Sequence, residues 1–123
     1  MLLQIEEKRI EPDIALVELK GRLALGRESQ RVESLADELV KGGKLKAIFD
    51  LTGVDYIDSA GIGILALASG KLKEAGGKLA VVSAEGRVRQ MLEMTQMNRI
   101  LALSATVAEA MEELGATFPP AAA

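Results

Sequence analysis

The residues best placed to do chemistry are Asp50, Asp55, Asp58 and Ser59, followed closely by Gly61 and Gly63. Asp58 stands where a helix N-cap belongs, with a carboxylate able to accept the backbone N–H two or three residues on. Ser59 is then the first helical residue, its hydroxyl near the mouth of the preceding loop. A helix N-terminus offers unpaired N–H groups and roughly half a positive charge, so it tolerates an added anion. A phosphoryl group on Ser59 would bring about −1.5 to −2 charges to that spot, opposed by the adjacent Asp58. A partner surface fitted to the neutral hydroxyl could not accept that charge, and this is the physical basis for a switch. Asp and Ser are equally ordinary capping residues, so the pair alone does not separate regulation from helix capping.

Other chemistries are narrowed by composition. The chain of 123 residues has no His and no Cys, which removes a Ser-His-Asp triad, an imidazole base, phosphohistidine, a thiol nucleophile, a disulfide framework and Cys- or His-rich metal sites. Lys and Arg total 15 against 18 Asp and Glu, a net charge of −3, and there is no Trp, one Tyr and two Phe. Without a basic stripe or aromatic platforms, nucleic acid is not the expected partner. Gly61-Ile62-Gly63-Ile64-Leu65-Ala66 satisfies G-x-G-x-x-A, and Glu85 lies near the spacing of a ribose contact. The glycines, however, fall inside the predicted helix rather than in the strand-to-helix turn that cradles a pyrophosphate. Asp50, Asp55 and Asp58 can be read as a magnesium-binding phosphoaspartate set. They read better as a strand-end residue, a loop residue and an N-cap, with no lysine after the last strand to complete that chemistry. No metal or cofactor is expected.

The elements that must position Ser59 follow from periodicity. Leu3 and Ile5 alternate with Gln4, Glu6 and Lys8, and Ala15, Val17 and Leu19 alternate with Glu18 and Lys20; with a Pro12-Asp13 turn between them these predict an antiparallel pair with one face in water. Gly21 is expected to close the second strand. Val32, Leu35, Ala36, Leu39 and Val40 form one helical stripe, ended by Gly42-Gly43. Lys46 to Leu51 has apolar residues on both faces and predicts a central strand, followed by a loop from Thr52 to Ile57. The helix opened by Asp58-Ser59 runs to about Ala75 and is closed by Gly76-Gly77. Leu79 to Val82 is a continuous apolar strand. Residues 86 to 97 predict a helix carrying Val88, Met91, Leu92 and Thr95 on one side. Met94 and Met97 fall toward the surface, where methionines make an adaptable contact. Ile100 to Leu103 is a short strand, and the capping box Thr106-Val107-Ala108-Glu109 opens a last helix that Gly115 stops. The result is one α/β domain over 1–115, with a mixed sheet of about five strands and about four helices, and a loose tail over 116–123.

Two features of the Ser59 segment ask for an explanation. Gly61 and Gly63 each weaken a helix interior by about 0.5–1 kcal/mol relative to Ala, which suggests close approach by a backbone, the protein's own or a partner's. Ile62, Ile64, Leu65, Ala66, Leu67 and Ala68 leave no polar face for two turns, so this helix start is either buried or covered by a partner. The longest apolar stretch, Ala60 to Ala68, is far too short to span a bilayer, and Glu6 to Arg9 interrupt the apolar start at Met1 to Ile5 before a signal-peptide core develops. A soluble cytoplasmic protein, not inserted in a membrane, is expected.

Gly21-Arg22-Leu23 and the run Ile48-Phe49-Asp50-Leu51-Thr52-Gly53-Val54-Asp55-Tyr56-Ile57-Asp58-Ser59-Ala60-Gly61-Ile62-Gly63 resemble the STAS domain family, named for sulfate transporters and anti-sigma factor antagonists. The resemblance covers nearly the whole chain and fits the free-standing antagonist type. It implies a bacterial regulator of transcription that binds an anti-sigma factor which is also an ATP-dependent serine kinase, so that the sigma factor is released. In such proteins the kinase phosphorylates the serine after the motif aspartate, which breaks the complex, and a PP2C-type phosphatase resets it. The matching phosphoacceptor here is Ser59, with Asp58, Ala60, Gly61, Ile62, Gly63 and Arg22 as the motif and partner-binding positions. The protein would be substrate and ligand rather than enzyme. One departure stands out: antagonists often read Gly-Glu-Leu-Asp where this chain has Gly21-Arg22-Leu23-Ala24, so two carboxylates expected near the phosphoacceptor become Arg22 and Ala24. Arg22 is then placed to pair with a phosphate on Ser59. The family also implies an alternative, a constitutive subunit of an ABC-type lipid transport system. In that case Ser59 is only a cap and the Gly61–Leu65 surface docks permanently.

Overall fold

In the computed structural model, which describes residues 3–11, 14–43 and 45–115, two long strands open the domain. The first, β1 (Gln4–Glu11), lies antiparallel to the second, β2 (Ile14–Leu23). The expected Pro12-Asp13 turn and the tail 116–123 lie outside the described residues. A first helix, α1 (Arg27–Lys41), leads to β3 (Lys46–Ile57), which pairs parallel to β2. Next come α2 (Ser59–Glu74), β4 (Lys78–Val82), α3 (Arg87–Met94), a single 3₁₀ turn at Met97–Arg99, β5 (Ala102–Ser104) and α4 (Val107–Glu113). The five strands form one sheet in the order β1-β2-β3-β4-β5, antiparallel at the first pair and parallel at the rest.

The two faces of the sheet carry different loads. Ala15, Val17, Leu19, Phe49, Leu51, Leu79 and Val81 meet Val32, Ala36 and Leu39 of α1, Leu65, Ala68 and Leu72 of α2, and Val88 and Leu92 of α3. On the opposite face Ile14, Ile48, Ala80 and Val82 meet Ala110, Met111 and Leu114 of α4. Phe49 and Ile48, adjacent in β3, therefore lie in different cores, which is what a central strand covered on both sides requires.

Sequence and structure part company at the ends of β2 and β3. The segment 52–57, expected as a loop, continues β3 as far as Ile57, and β2 passes through Gly21 to Leu23 instead of stopping there. Two irregularities in the pairing account for this. Asp50 and Gly53 of β3 oppose Glu18 and Lys20, and Val54 and Tyr56 oppose Gly21 and Arg22, so β3 carries one extra residue at each step. Each bulge adds one residue to the alternation, so the buried positions become Leu51, Val54 and Ile57, three apart. A search for period two misses such a strand. Gly21 takes a positive φ of 104° at the second irregularity, a conformation that suits glycine.

Smaller differences lie in the second half. The helix expected over 86–97 ends at Met94, where Thr95 caps it and Gln96 adopts left-handed φ 60°. The 3₁₀ turn that follows displaces the last strand from Ile100–Leu103 to Ala102–Ser104. Met97 is buried by this turn, contrary to the expectation, whereas Met94 is 79 % exposed and Met91 packs against the core. At the start of α4 only half of the capping box forms: the Thr106 hydroxyl accepts the Glu109 N–H at 3.1 Å. The Glu109 carboxylate takes the N–H of Ala105, not Thr106, at 2.9 Å.

Candidate functional site

The parallel strands β2 and β3 deliver their C-terminal ends to one edge of the domain, and α2 starts there. Asp58 is the N-cap of α2, with an extended backbone and one carboxylate oxygen accepting the Gly61 N–H at 2.9 Å. Its second oxygen accepts the Leu25 N–H at 3.2 Å from the loop between β2 and α1. One carboxylate thus caps the helix and holds the neighbouring loop. The same loop is tied from its other side by Ser29 of α1, whose buried hydroxyl donates to the Ala24 carbonyl and accepts the Ala24 N–H at 3.2 Å. Between these two anchors Leu25 is 83 % exposed.

The N–H of Gly61, with a smaller contribution from Leu25, holds the Asp58 carboxyl below its ordinary value of 3.8, against a weaker opposing effect of burial. A depressed folded-state value means that the cap contributes fully above the unfolded carboxyl's titration and is lost as pH falls through the folded one. Asp58→Ala is therefore expected to cost about 1 kcal/mol in urea unfolding at pH 7. That difference from wild type should shrink toward zero in acid, once the wild-type carboxyl is protonated. A difference that stays constant between pH 7 and pH 3 would show that the carboxylate is not what caps α2.

Ser59 is the first residue of α2 and is exposed. The two glycines after it have different surroundings. A Cβ on Gly61 would lie 2.0 Å from the Leu23 carbonyl oxygen and 3.0 Å from an Ile57 side-chain carbon, so Gly61 is where α2 presses on the end of β2. A Cβ on Gly63 would meet nothing within 4 Å. Both stand inside α2, not in a turn, so the G-x-G-x-x-A spacing builds no pyrophosphate cradle. The inward side of α2 is Ile62, Leu65, Ala68, Ser69 and Leu72. Its outward side is Ser59, Gly63, Leu67 and Gly70, all exposed, with Leu67 at 47 %. The apolar helix start is thus half buried, and its solvent side has no charged residue for three turns.

The remaining candidates fall into two groups. Asp50 is engaged locally, one oxygen accepting from the Thr52 N–H at 3.0 Å and from its hydroxyl at 2.5 Å. Among the described residues, no cluster of three or more acidic side chains could hold a metal ion. Arg22 lies over the Tyr56 ring at 3.9 Å from its centroid, across the β2–β3 pair in which the two are partners, a cation–π contact. A groove of about 420 Å³ opens beside Ser59, walled by Asp55, Tyr56, Ile57, Asp58, Val88 and Met91, with Arg87 of α3 also lining it. Arg22 is not among the lining residues.

Tyr56, Leu25 and Arg87 were not candidates from sequence. Leu25 offered one signal, an isolated large apolar residue in a segment too short to be a strand or helix. Arg87 offered none, because only the packing of α3 against the end of β3 brings it to Ser59.

Comparison with known proteins agrees with this geometry. A protein-family model described as the STAS domain matches residues 7–110. A Thermotoga maritima protein named "Putative anti-sigma factor antagonist" is 33 % identical over 78 residues, 63 % of this chain and 69 % of that protein. A Bordetella bronchiseptica protein named "Putative anti-sigma factor antagonist BtrV" is 30 % identical over 103 residues, 84 % of each chain. A crystal structure of a T. maritima protein of that same description superposes with a TM-score of 0.80 at 27 % identity, covering 90 % of this chain and 94 % of the other.

Proposed function

The chain belongs to the STAS domain family, and from that premise we propose that it is an anti-sigma factor antagonist switched by phosphorylation of Ser59. The observation that carries this reading is the position of Ser59, an exposed hydroxyl at the first turn of α2, on a helix face with no charged residue for three turns. Leu25, Gly63, Leu67 and Gly70 present apolar or bare backbone surface around it. With no side chain at Gly63 or Gly70, a partner backbone can approach α2 closely. In the unmodified state this face binds the anti-sigma factor and withholds it from its sigma factor.

The covalent step is carried by the partner, acting as a serine kinase with bound MgATP. The Ser59 hydroxyl oxygen attacks the γ-phosphorus, the bond to the β–γ bridging oxygen breaks, ADP departs and the hydroxyl proton passes to the kinase or solvent. Ser59 then carries up to two negative charges at a surface that binds by close apolar contact, and desolvating them against a partner face fitted to the neutral hydroxyl drives the complex apart. Hydrolysis of the phosphate by a PP2C-type phosphatase restores the hydroxyl. In this cycle the chain is substrate and ligand, and the transfer machinery belongs to its partners, in the cytoplasm.

The test is phosphoserine mass spectrometry after incubation with ATP and an extract of the source cells. A phosphate on Ser59, absent from Ser59→Ala, is the expected result. An unmodified Ser59, together with a co-purifying transporter subunit, would replace the switch with a permanent docking role.

A further inference from the structure

We infer that Arg87, at the first turn of α3, is the cation that receives the phosphoryl group of phosphorylated Ser59 across the groove the two residues share. The inference deepens the proposed switch and rests on it for its physiological meaning. Three observations carry it.

First, Arg87 has no hydrogen-bond, ion-pair or ring partner among the described residues. Its neighbour Arg89, by contrast, donates to the Ser83 carbonyl at 2.8 Å and pairs with Glu93 at 3.6 Å. Second, α3 has no acidic residue in its first turn and no side-chain N-cap, so Arg87 places a cation at the end of a helix where positive charge is disfavoured. Third, Arg87 is the one basic group among the described residues that line the groove beside Ser59, whose other walls are Asp55, Tyr56, Ile57, Asp58, Val88 and Met91. Arg87 and Ser59 are both exposed on this groove, so the guanidinium can turn toward a phosphoryl group and make a charge-assisted arginine–phosphate contact.

The acidic neighbours of the phosphate are Asp55 and Asp58, and pairing the phosphate with a cation offsets their repulsion. The sequence pattern suggested Arg22 for this task. Arg22, however, stacks on Tyr56 and lines no part of the groove; its contact holds the tyrosine wall instead. Bound by Arg87, the phosphoryl group occupies the groove and turns from the outward face of α2 toward α3, so modification both adds charge and fills a recess beside the docking surface.

The experiment uses the full chain with phosphoserine installed at position 59 during translation, so it reads the groove whether or not a cellular kinase modifies Ser59. The second ionisation of the phosphate is followed by ³¹P NMR from pH 4.5 to 8. A free phosphoserine titrates near pH 6; in the wild-type background the midpoint is expected about 0.3–0.7 pH units lower than in Arg87→Gln. Arg87→Lys should recover part of the difference, and Arg22→Gln should leave the wild-type midpoint in place. Equal midpoints in wild type and Arg87→Gln overturn the inference, as does a difference that follows Arg22 instead of Arg87. Absence of Ser59 phosphate from cell-derived protein would defeat the switch itself, a separate result read by mass spectrometry.

Discussion

Ser59→Asp is expected to lower recovery of the anti-sigma factor by about 30-fold or more while leaving the domain as stable as wild type. The two halves of that expectation have separate causes. Ser59 is exposed at the first position of α2, where a carboxylate meets the favourable end of the helix dipole. The adjacent Asp58 opposes it, and the net change in unfolding free energy should stay within about 0.5 kcal/mol. Binding is another matter. The outward face of α2 and the loop beside it present Leu25, Gly63, Leu67 and Gly70 next to Ser59, none of which can pair with a charge, and a partner fitted to that face must strip the new carboxylate of water. A buried unpaired charge at an interface costs about 2–5 kcal/mol, which is the stated loss. Urea unfolding and a pull-down with the purified partner, run side by side on both proteins, measure the two halves. Equal recovery by wild type and Ser59→Asp would show that partner binding does not pass over Ser59 and would end the switch mechanism. Asp has one charge and a shorter reach than phosphoserine, so the phosphorylated protein itself should lose binding at least as completely.

Gly61→Ala is expected to destabilise the domain by about 2–4 kcal/mol, out of a total of about 5–15 kcal/mol for a typical domain. The added methyl would sit 2.0 Å from the Leu23 carbonyl oxygen and 2.9 Å from its carbon. Backbone cannot swing aside as a side chain does, so α2 or the end of β2 must move. Alanine's better helix propensity, about 0.5–1 kcal/mol, offsets only part of the strain. Any displacement also reaches the Asp58 carboxylate, which bonds both Gly61 and Leu25, and hence the loop beside Ser59. Gly63→Ala is the natural control: its Cβ meets nothing, so the same propensity gain should appear in full and raise stability by about 0.5–1 kcal/mol. Thermal unfolding distinguishes the pair, and similar midpoints for both variants would refute the close approach of α2 to β2. If Gly63→Ala also weakens anti-sigma factor binding, the absent side chain at position 63 serves the partner, as the open surface there requires.

The absence of His and Cys, with Phe49, Tyr56 and Phe118 as the only aromatics, left a binding or switching module or an enzyme working with carboxylates and hydroxyls alone. Binary patterning was sufficient for the order of strands and helices, because helix stripes and alternating strands are local consequences of which side chains must leave water. It also located the N-cap at Asp58 and the first helical turn at Ser59, since capping needs only a side chain and the next few N–H groups. The run from Ile48 to Gly63, which spans most of β3 and the start of α2, made the STAS resemblance legible for the same reason: its residues are contiguous.

Tertiary structure decided what depends on residues distant in sequence. The two bulges of β3 are properties of its pairing with β2, and they turned an expected loop into a strand whose inward residues recur every third position. Gly61 and Gly63 are chemically identical in the sequence. Only the approach of the Leu23 carbonyl to one of them separates a packing glycine from an open one. Arg22 was drawn toward Ser59 by its place in a motif, yet the register that sets it opposite Tyr56 commits its guanidinium to that ring. Arg87, 28 positions after Ser59 in the numbering, comes to the same groove because α3 packs back over the end of the sheet. Local sequence therefore determined which hydroxyl stands at the start of α2, and long-range packing determined which surface and which groove that hydroxyl borders.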